Sequence, residues 1–312
     1  MRKAKYLIVL LFTMASIEVM AQYDTHFSHY WALEPSFNPA TVGKANKINV
    51  AAAYSMSLTG FENSPKTMYA GGDIPFYFLN AYHGVGAELL SDDIGLFTHK
   101  SFALQYAYRR KAFGGMFSVG VRMAMLSEGF EGSKVDLETP DDPAFPTADV
   151  TGSSFDVGLG LYFSRDSWYV GVSGLHLNAP KIEIGEKQEF DVSSLYYFTA
   201  GYNIRLRNPF LSIQPSLLCQ TDGVAYRVDA GGRLTYTNDK KMMYVGLSYS
   251  PANSVTLMLG GNFHGVCLGY SYEAYTSAIS LGNGGHEIFI GYQTDINIGK
   301  KGKNMHKSVR LL

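Results

Sequence analysis

The sequence is poor in the signals that announce chemistry. It holds only two cysteines, Cys219 and Cys267, and the strand parity of their segments puts them on opposite faces, so no disulfide is expected. No His or Cys cluster has metal-ligand spacing, no glycine loop is arranged to cradle phosphate, and no G-x-S-x-G nucleophile elbow is present. His176, His264 and His286 are candidate bases, but no nucleophile and acid accompany them, and places at loop ends or at a membrane interface suit them better. Neither catalysis nor a cofactor is expected. An excess of one charge is also missing: 26 Lys and Arg stand against 27 Asp and Glu, a formal net charge of −1. A chain without a basic field does not take nucleic acid as a general partner.

Long apolar runs are scarce as well. Arg2, Lys3 and Lys5 precede the apolar stretch Tyr6 to Met14, and Val19-Met20-Ala21 follows. This reads as a signal peptide over 1–21, cut between Ala21 and Gln22. Removing Arg2, Lys3, Lys5 and Glu18 takes the net charge from −1 to about −3. Beyond the leader no run reaches the length of a spanning helix. If the chain lies in a membrane, it crosses as strands.

What is present is alternation. In Val224 to Tyr236, Tyr226, Val228, Ala230, Leu234 and Tyr236 share one face, and Arg227, Asp229, Arg233 and Thr235 the other, as a period of two requires. About fourteen such segments, an even number, are expected. They run over 47–56, 65–76, 82–91, 98–110, 114–126, 153–163, 167–177, 192–206, 210–220, 224–236, 241–249, 254–261, 265–273 and 286–298. Short connections alternate with long ones, among them 129–152, 178–191 and 274–285, each read as a loop. A soluble sandwich has no reason to sort its loops, whereas an outer-membrane barrel keeps short turns on the periplasmic side and long loops outside. The fold class expected is therefore all-β, a transmembrane antiparallel up-and-down barrel over 47–298. The 46% hydrophobic and 14% aromatic content and the 33 glycines suit a lipid-facing wall with aromatic girdles.

Residues 22–46 do not alternate. They are rich in aromatics such as Phe27, Tyr30, Trp31 and Phe37, which would form an unprotected patch unless the segment packs against or inside the barrel. Asn38-Pro39 reads as a turn, with Asn38 closing an Asx turn. On the polar parity fall Glu88, Arg122, Asp156, Arg205, Arg227, Asp229, Arg233 and Asp295. They are expected to face the lumen, since a Lys or Arg at the bilayer midplane costs roughly 2–4 kcal/mol. There they either pair and plug the interior or line a selective conduit. The tail 299–312 carries Lys300, Lys301, Lys303, Lys307 and Arg310; with an even strand count it is periplasmic, either a solvated end or a basic arm for a partner.

Two motifs go beyond architecture. Gln22-Tyr23-Asp24-Thr25-His26-Phe27-Ser28-His29-Tyr30, then Phe37-Asn38-Pro39-Ala40-Thr41-Val42-Gly43, resembles the opening of the PorP/SprF family of Bacteroidetes outer-membrane proteins. Tyr270-Ser271-Tyr272-Glu273 followed by Gly284-Gly285-His286-Glu287-Ile288 is similar to that family's final hairpin. Phe37 stands where Leu is usual and Gly285 where Ser is usual. The motif positions carried over are Phe27, Ser28, Tyr30, Asn38, Pro39, Ala40, Gly43, Gly284, His286 and Glu287. From the residues alone, His286 and Glu287 are expected to tie their loop to the neighbouring wall. The resemblance implies a type IX secretion component in the outer-membrane lipid, with no cofactor and no catalysis. Its implied partners are periplasmic ring and lipoprotein components and a secreted protein, such as an adhesin with a C-terminal signal. The competing function is passive transport of small hydrophobic molecules: a hydrophobic lumen favours transport, and an interior filled by charged pairs favours secretion.

Overall fold

Alternation of apolar and polar residues drives almost every element of the chain. The computed structural model describes residues 25–134, 148–185, 188–239, 241–251, 253–276 and 283–296. The expected leader and its cleavage site, most of the 129–152 loop and the basic tail lie outside the described residues.

The strands are β1 Lys47–Met56, β2 Lys66–Phe78, β3 Ala81–Ile94, β4 Phe97–Ala112, β5 Gly115–Phe130, β6 Val150–Arg165 and β7 Trp168–Leu175, then β8 Lys181–Ile184 and β9 Gln188–Asp191. They continue with β10 Leu195–Tyr202, β11 Ile204–Arg205, β12 Leu211–Thr221, β13 Tyr226–Asn238, β14 Lys241–Ser250, β15 Ser254–Phe263, β16 Val266–Tyr275 and β17 Gly285–Asp295. β1 pairs antiparallel with β17, and β10 pairs with both β7 and β12, so the sheet closes on itself. With β11 as the short extension of β10, and β8 and β9 standing apart as their own hairpin, the wall is a closed barrel of 14 strands. Closure leaves no wall strand at the edge of a sheet, which is how a barrel pairs its backbone groups within a bilayer.

Side chains sort as the period of two demands. Along β4, His99, Ser101, Ala103, Gln105, Ala107 and Arg109 are buried, while Lys100, Phe102, Leu104, Tyr106 and Tyr108 are exposed. Exposed Tyr196, Tyr226, Tyr249 and Tyr272 lie toward one end of the barrel, in β10, β13, β14 and β16, and exposed Trp168, Tyr202, Tyr236 and Tyr292 lie toward the opposite end. These are the two girdles of a membrane barrel.

Connections 79–80, 113–114, 166–167, 206–210, 239–240 and 264–265 fall at one end, hereafter the short-turn end, with the start of β1. Connections 57–65, 131–149, 176–194 and 276–284 fall at the other, the long-loop end, together with the short connections 95–96, 222–225 and 251–253. One expectation is corrected here. The stretch 178–191 is not a plain loop, because it contains the β8–β9 hairpin. Ile182 and Ile184 of this hairpin pack with Ala103, Ala124, Leu126, Phe130 and Val192. A hairpin that buries isoleucines against inward wall residues folds down into the barrel mouth.

The face assignment is testable at β13, where Val228 points out and Asp229, Arg233 and Thr235 are buried. Val228→Arg puts a charge in lipid one step inside the Tyr226 girdle, at a cost below the roughly 2–4 kcal/mol of the midplane, and is expected to reduce the heat-modifiable folded form on gels. Thr235→Arg is expected to retain more of it. Equal loss in both variants would contradict the assignment.

Candidate functional site

The lumen is occupied by the chain's own N-terminal segment, an irregular strap over 25–46 with 3₁₀ turns at Glu34–Ser36 and Pro39–Thr41. Phe27, Tyr30, Leu33, Phe37, Ala40 and Val42 are all buried. The strap starts beside β13 and β17, crosses to β6 and β7 at Asn38, then sweeps along β5, β4 and β3 back to β1. Two glycines show how close it runs. A Cβ on Gly120 would collide with the backbone of Pro39 and Ala40, and one on Gly84 with the carbonyl of Val42. These wall positions are small because backbone meets backbone there.

An irregular backbone inside a barrel cannot satisfy itself, so its polar groups need partners from the wall. Glu287 of β17 supplies one such set. Its Oε2 accepts from the Ser28 N–H at 2.6 Å, and its Oε1 accepts from the His29 N–H at 3.0 Å and lies 2.6 Å from His29 Nδ1. Asp73 Oδ2 accepts from the Gly43 N–H at 2.8 Å and Asp73 Oδ1 from Asn49 Nδ2 at 3.0 Å. Arg109 donates to the Gly43 and Lys44 carbonyls, Gln105 to Pro35 O and Ser173 to Phe37 O. The Asx turn expected at Asn38 forms: Oδ1 accepts from the Ala40 N–H at 3.0 Å, and Nδ2 donates to Leu161 O at 3.1 Å. Tyr30 Oη pairs with Ser216 Oγ at 2.7 Å. Arg233 lies 3.5 Å from the Trp31 ring centroid, a desolvated cation–π contact. Lys44 is ion-paired with buried Glu34.

Beside the strap sits a buried charge cluster. Arg122 donates to Glu88 at 2.8 Å, to Asp156 at 2.7 Å and to Ser101 at 3.0 Å. His176, held at a positive φ of 54°, places Nδ1 3.1 Å from Asp156 Oδ1, off hydrogen-bond alignment. A second cluster links Arg227 to Asp229 and Glu273, with His26 3.7 Å from Asp229. The cavity between strap and wall near Arg122 holds only about 30 Å³, room for a water or so.

Not every residue of inward parity reaches this interior. Arg205 and Asp295 sit exposed at strand ends, Asp295 3.4 Å from Lys47. Parity sets which way a side chain leaves the sheet and says nothing about depth, so these two close the short-turn rim. Glu287 also departs from expectation, since it holds the strap instead of its own loop. His286, one residue earlier and so on the outward face, does tie to the neighbouring strand, 2.7 Å from Tyr270 Oη. Gly284 takes φ 78° just before β17. His264 is a turn residue with φ 55°, and both cysteines are free. Asp73, Gln105, Arg109 and Ser173 were not among the sequence candidates, although their polar character at inward parity marked them.

A family model described as type IX secretion system membrane protein PorP/SprF matches residues 19–292. No curated protein matches the chain. Among solved structures, the CymD monoaromatic hydrocarbon channel superposes with a TM-score of 0.50 at 11% identity, covering 85% of this chain and 93% of that one. A Pseudomonas aeruginosa FadL homologue gives a TM-score of 0.48 at 10% identity, over 83% and 92% of the two chains. The KdgM porin gives 0.36 at 10% identity, over 78% and 98%. At 11% identity the likeness to the CymD channel is one of barrel fold.

Proposed function

Because the chain belongs to the PorP/SprF family of type IX secretion system membrane proteins, we propose that it acts as a plugged outer-membrane docking barrel. In this reading it supports secretion or surface attachment of a partner protein, such as an adhesin with a C-terminal signal, by contact with periplasmic ring and lipoprotein components. The observation that carries the reading is the occupied lumen: the strap crosses it, buried ion pairs sit beside the strap, and the space left between the strap and β14–β17 is a closed-in pocket of about 160 Å³. Passive transport of a hydrophobic solute needs an apolar path, and the interior offers Glu88, Arg122, Asp156 and Asp229 instead.

The short-turn end offers a surface for such contacts. Leu79 and Phe113 stand at turn tips, 80% and 87% exposed, with φ of 46° and 52°. Bulky apolar residues rarely take a positive φ, and glycine or asparagine would serve a bare turn better. Presenting an apolar tip to a partner accounts for both choices. The test is affinity purification from detergent-solubilised outer membrane after cross-linking, with mass spectrometry of the captured proteins. Other type IX components and a secreted protein's C-terminal region are expected with the wild type, and their recovery is expected to fall about tenfold with Leu79→Asp and Phe113→Asp combined. Capture of no secretion component by a folded wild-type barrel, together with lost uptake of hydrophobic solutes in a deletion strain, would overturn the reading in favour of transport.

A further inference from the structure

The outer wall carries a concavity that the filled lumen does not explain. A trough of about 780 Å³ runs down the lipid-facing side of β17, β1, β2, β3, β4 and β5, within the size range of small-molecule sites. Its floor is low because Ala52 of β1 lies directly opposite Ala70 of β2, two methyl groups side by side. Met68, Leu89, Phe102 and Met125 rise around it, each about half exposed.

Polar chemistry appears at one place, the end of the trough toward the long loops. Ser91 faces Lys100 across the β3–β4 register, and Lys100 faces Ser127 across the β4–β5 register, so a lysine stands on the outward face between two hydroxyls, and all three line the trough. Lys66 is also on this face, opposite Asp93. Elsewhere on the described wall strands the outward face at this end carries no Lys or Arg. Neither Lys66 nor Lys100 makes an ion pair among the described residues. A lone ammonium on a lipid-facing wall is unfavourable unless it meets an anion at the headgroup level.

We propose that this trough is a binding site for an outer-leaflet lipid with a phosphate-bearing headgroup, the phosphate on Lys100 with Ser91 and Ser127, and acyl chain in the trough beneath. Lipid is the occupant because the trough opens onto the membrane, is apolar along its length, and carries its positive charge where a headgroup sits. A partner's membrane segment would have to bring an anion to that same height.

The inference needs the long-loop end to face the outer leaflet and is independent of the secretion role. Native mass spectrometry of the intact barrel in mild detergent tests it, with bis-phosphorylated lipid A and its dephosphorylated counterpart as probes. The wild type is expected to retain a lipid A adduct that Lys100→Gln weakens about fivefold, the loss for removing one headgroup-level cation. Ala70→Phe, which fills the trough floor, is expected to weaken it comparably, and the dephosphorylated lipid is expected to bind weakly to all three proteins. Heat-modifiable mobility identifies the folded fraction of each variant. Equal adducts in the three proteins, equal binding of the dephosphorylated lipid, or a dimer that Ala70→Phe abolishes while lipid binding is unchanged would each overturn the proposal.

Discussion

Glu287→Ala is expected to release the strap while leaving the barrel in the membrane. The carboxylate receives the Ser28 and His29 N–H groups and stands 2.6 Å from His29 Nδ1, all of them buried. Truncation leaves these groups without a partner in a place water does not easily reach, and removing one side of a buried charged contact costs about 3–5 kcal/mol. The wall keeps its own ladder, because β17 remains paired with β1 and β16 through its backbone. The variant should therefore keep heat-modifiable mobility on gels, while proteolysis of the purified barrel should cut within 25–46 at a concentration that spares the wild type. Glu287→Gln, which retains an acceptor, should fall between the two. Equal protease resistance of the alanine variant and the wild type would mean that the strap is held by its other contacts alone.

Arg122→Ala is expected to damage the barrel itself. One guanidinium satisfies Glu88 and Asp156 at once, and Asp156 is 0% exposed. Its loss leaves two carboxylates in a cavity with room for little water, again about 3–5 kcal/mol. The informative variant is the triple substitution Glu88→Gln, Arg122→Met and Asp156→Asn, which removes all three charges together. Because a buried ionic triad replaced as a unit is often near neutral, most of the lost thermal stability should return. If the triple variant is as unstable as Arg122→Ala, the destabilisation comes from lost packing volume and the charges are not its cause.

How far the sequence reached can be followed through particular residues. Each wall strand was visible because a lipid face and a lumen face impose opposite chemistry on successive residues, and the limits of β1 coincide with the expected 47–56. β8 escaped because Lys181-Ile182-Glu183-Ile184 alternates over too few residues to stand out from a loop. The aromatics of 25–46 announced that the segment must be covered, but the groups that cover it are inward polar residues scattered over β2, β4, β7 and β17, and no local pattern joins them. Glu287 illustrates the difficulty: its partners are backbone N–H groups far away in sequence, and backbone donors have no residue signature. Arg205 and Asp295 show the converse, since alternation gave their direction but not their depth.

The span of that contact has a consequence for biogenesis. Ser28 and Glu287 are 259 positions apart, and Glu287 lies in the strand whose pairing with β1 joins the two ends of the wall. The last hairpin brings in the acid that secures Ser28 and His29. Ser28 and His29 can be clasped in this way only once β17 has been made, so a wall truncated before β17 is expected to leave the N-terminal segment unclasped.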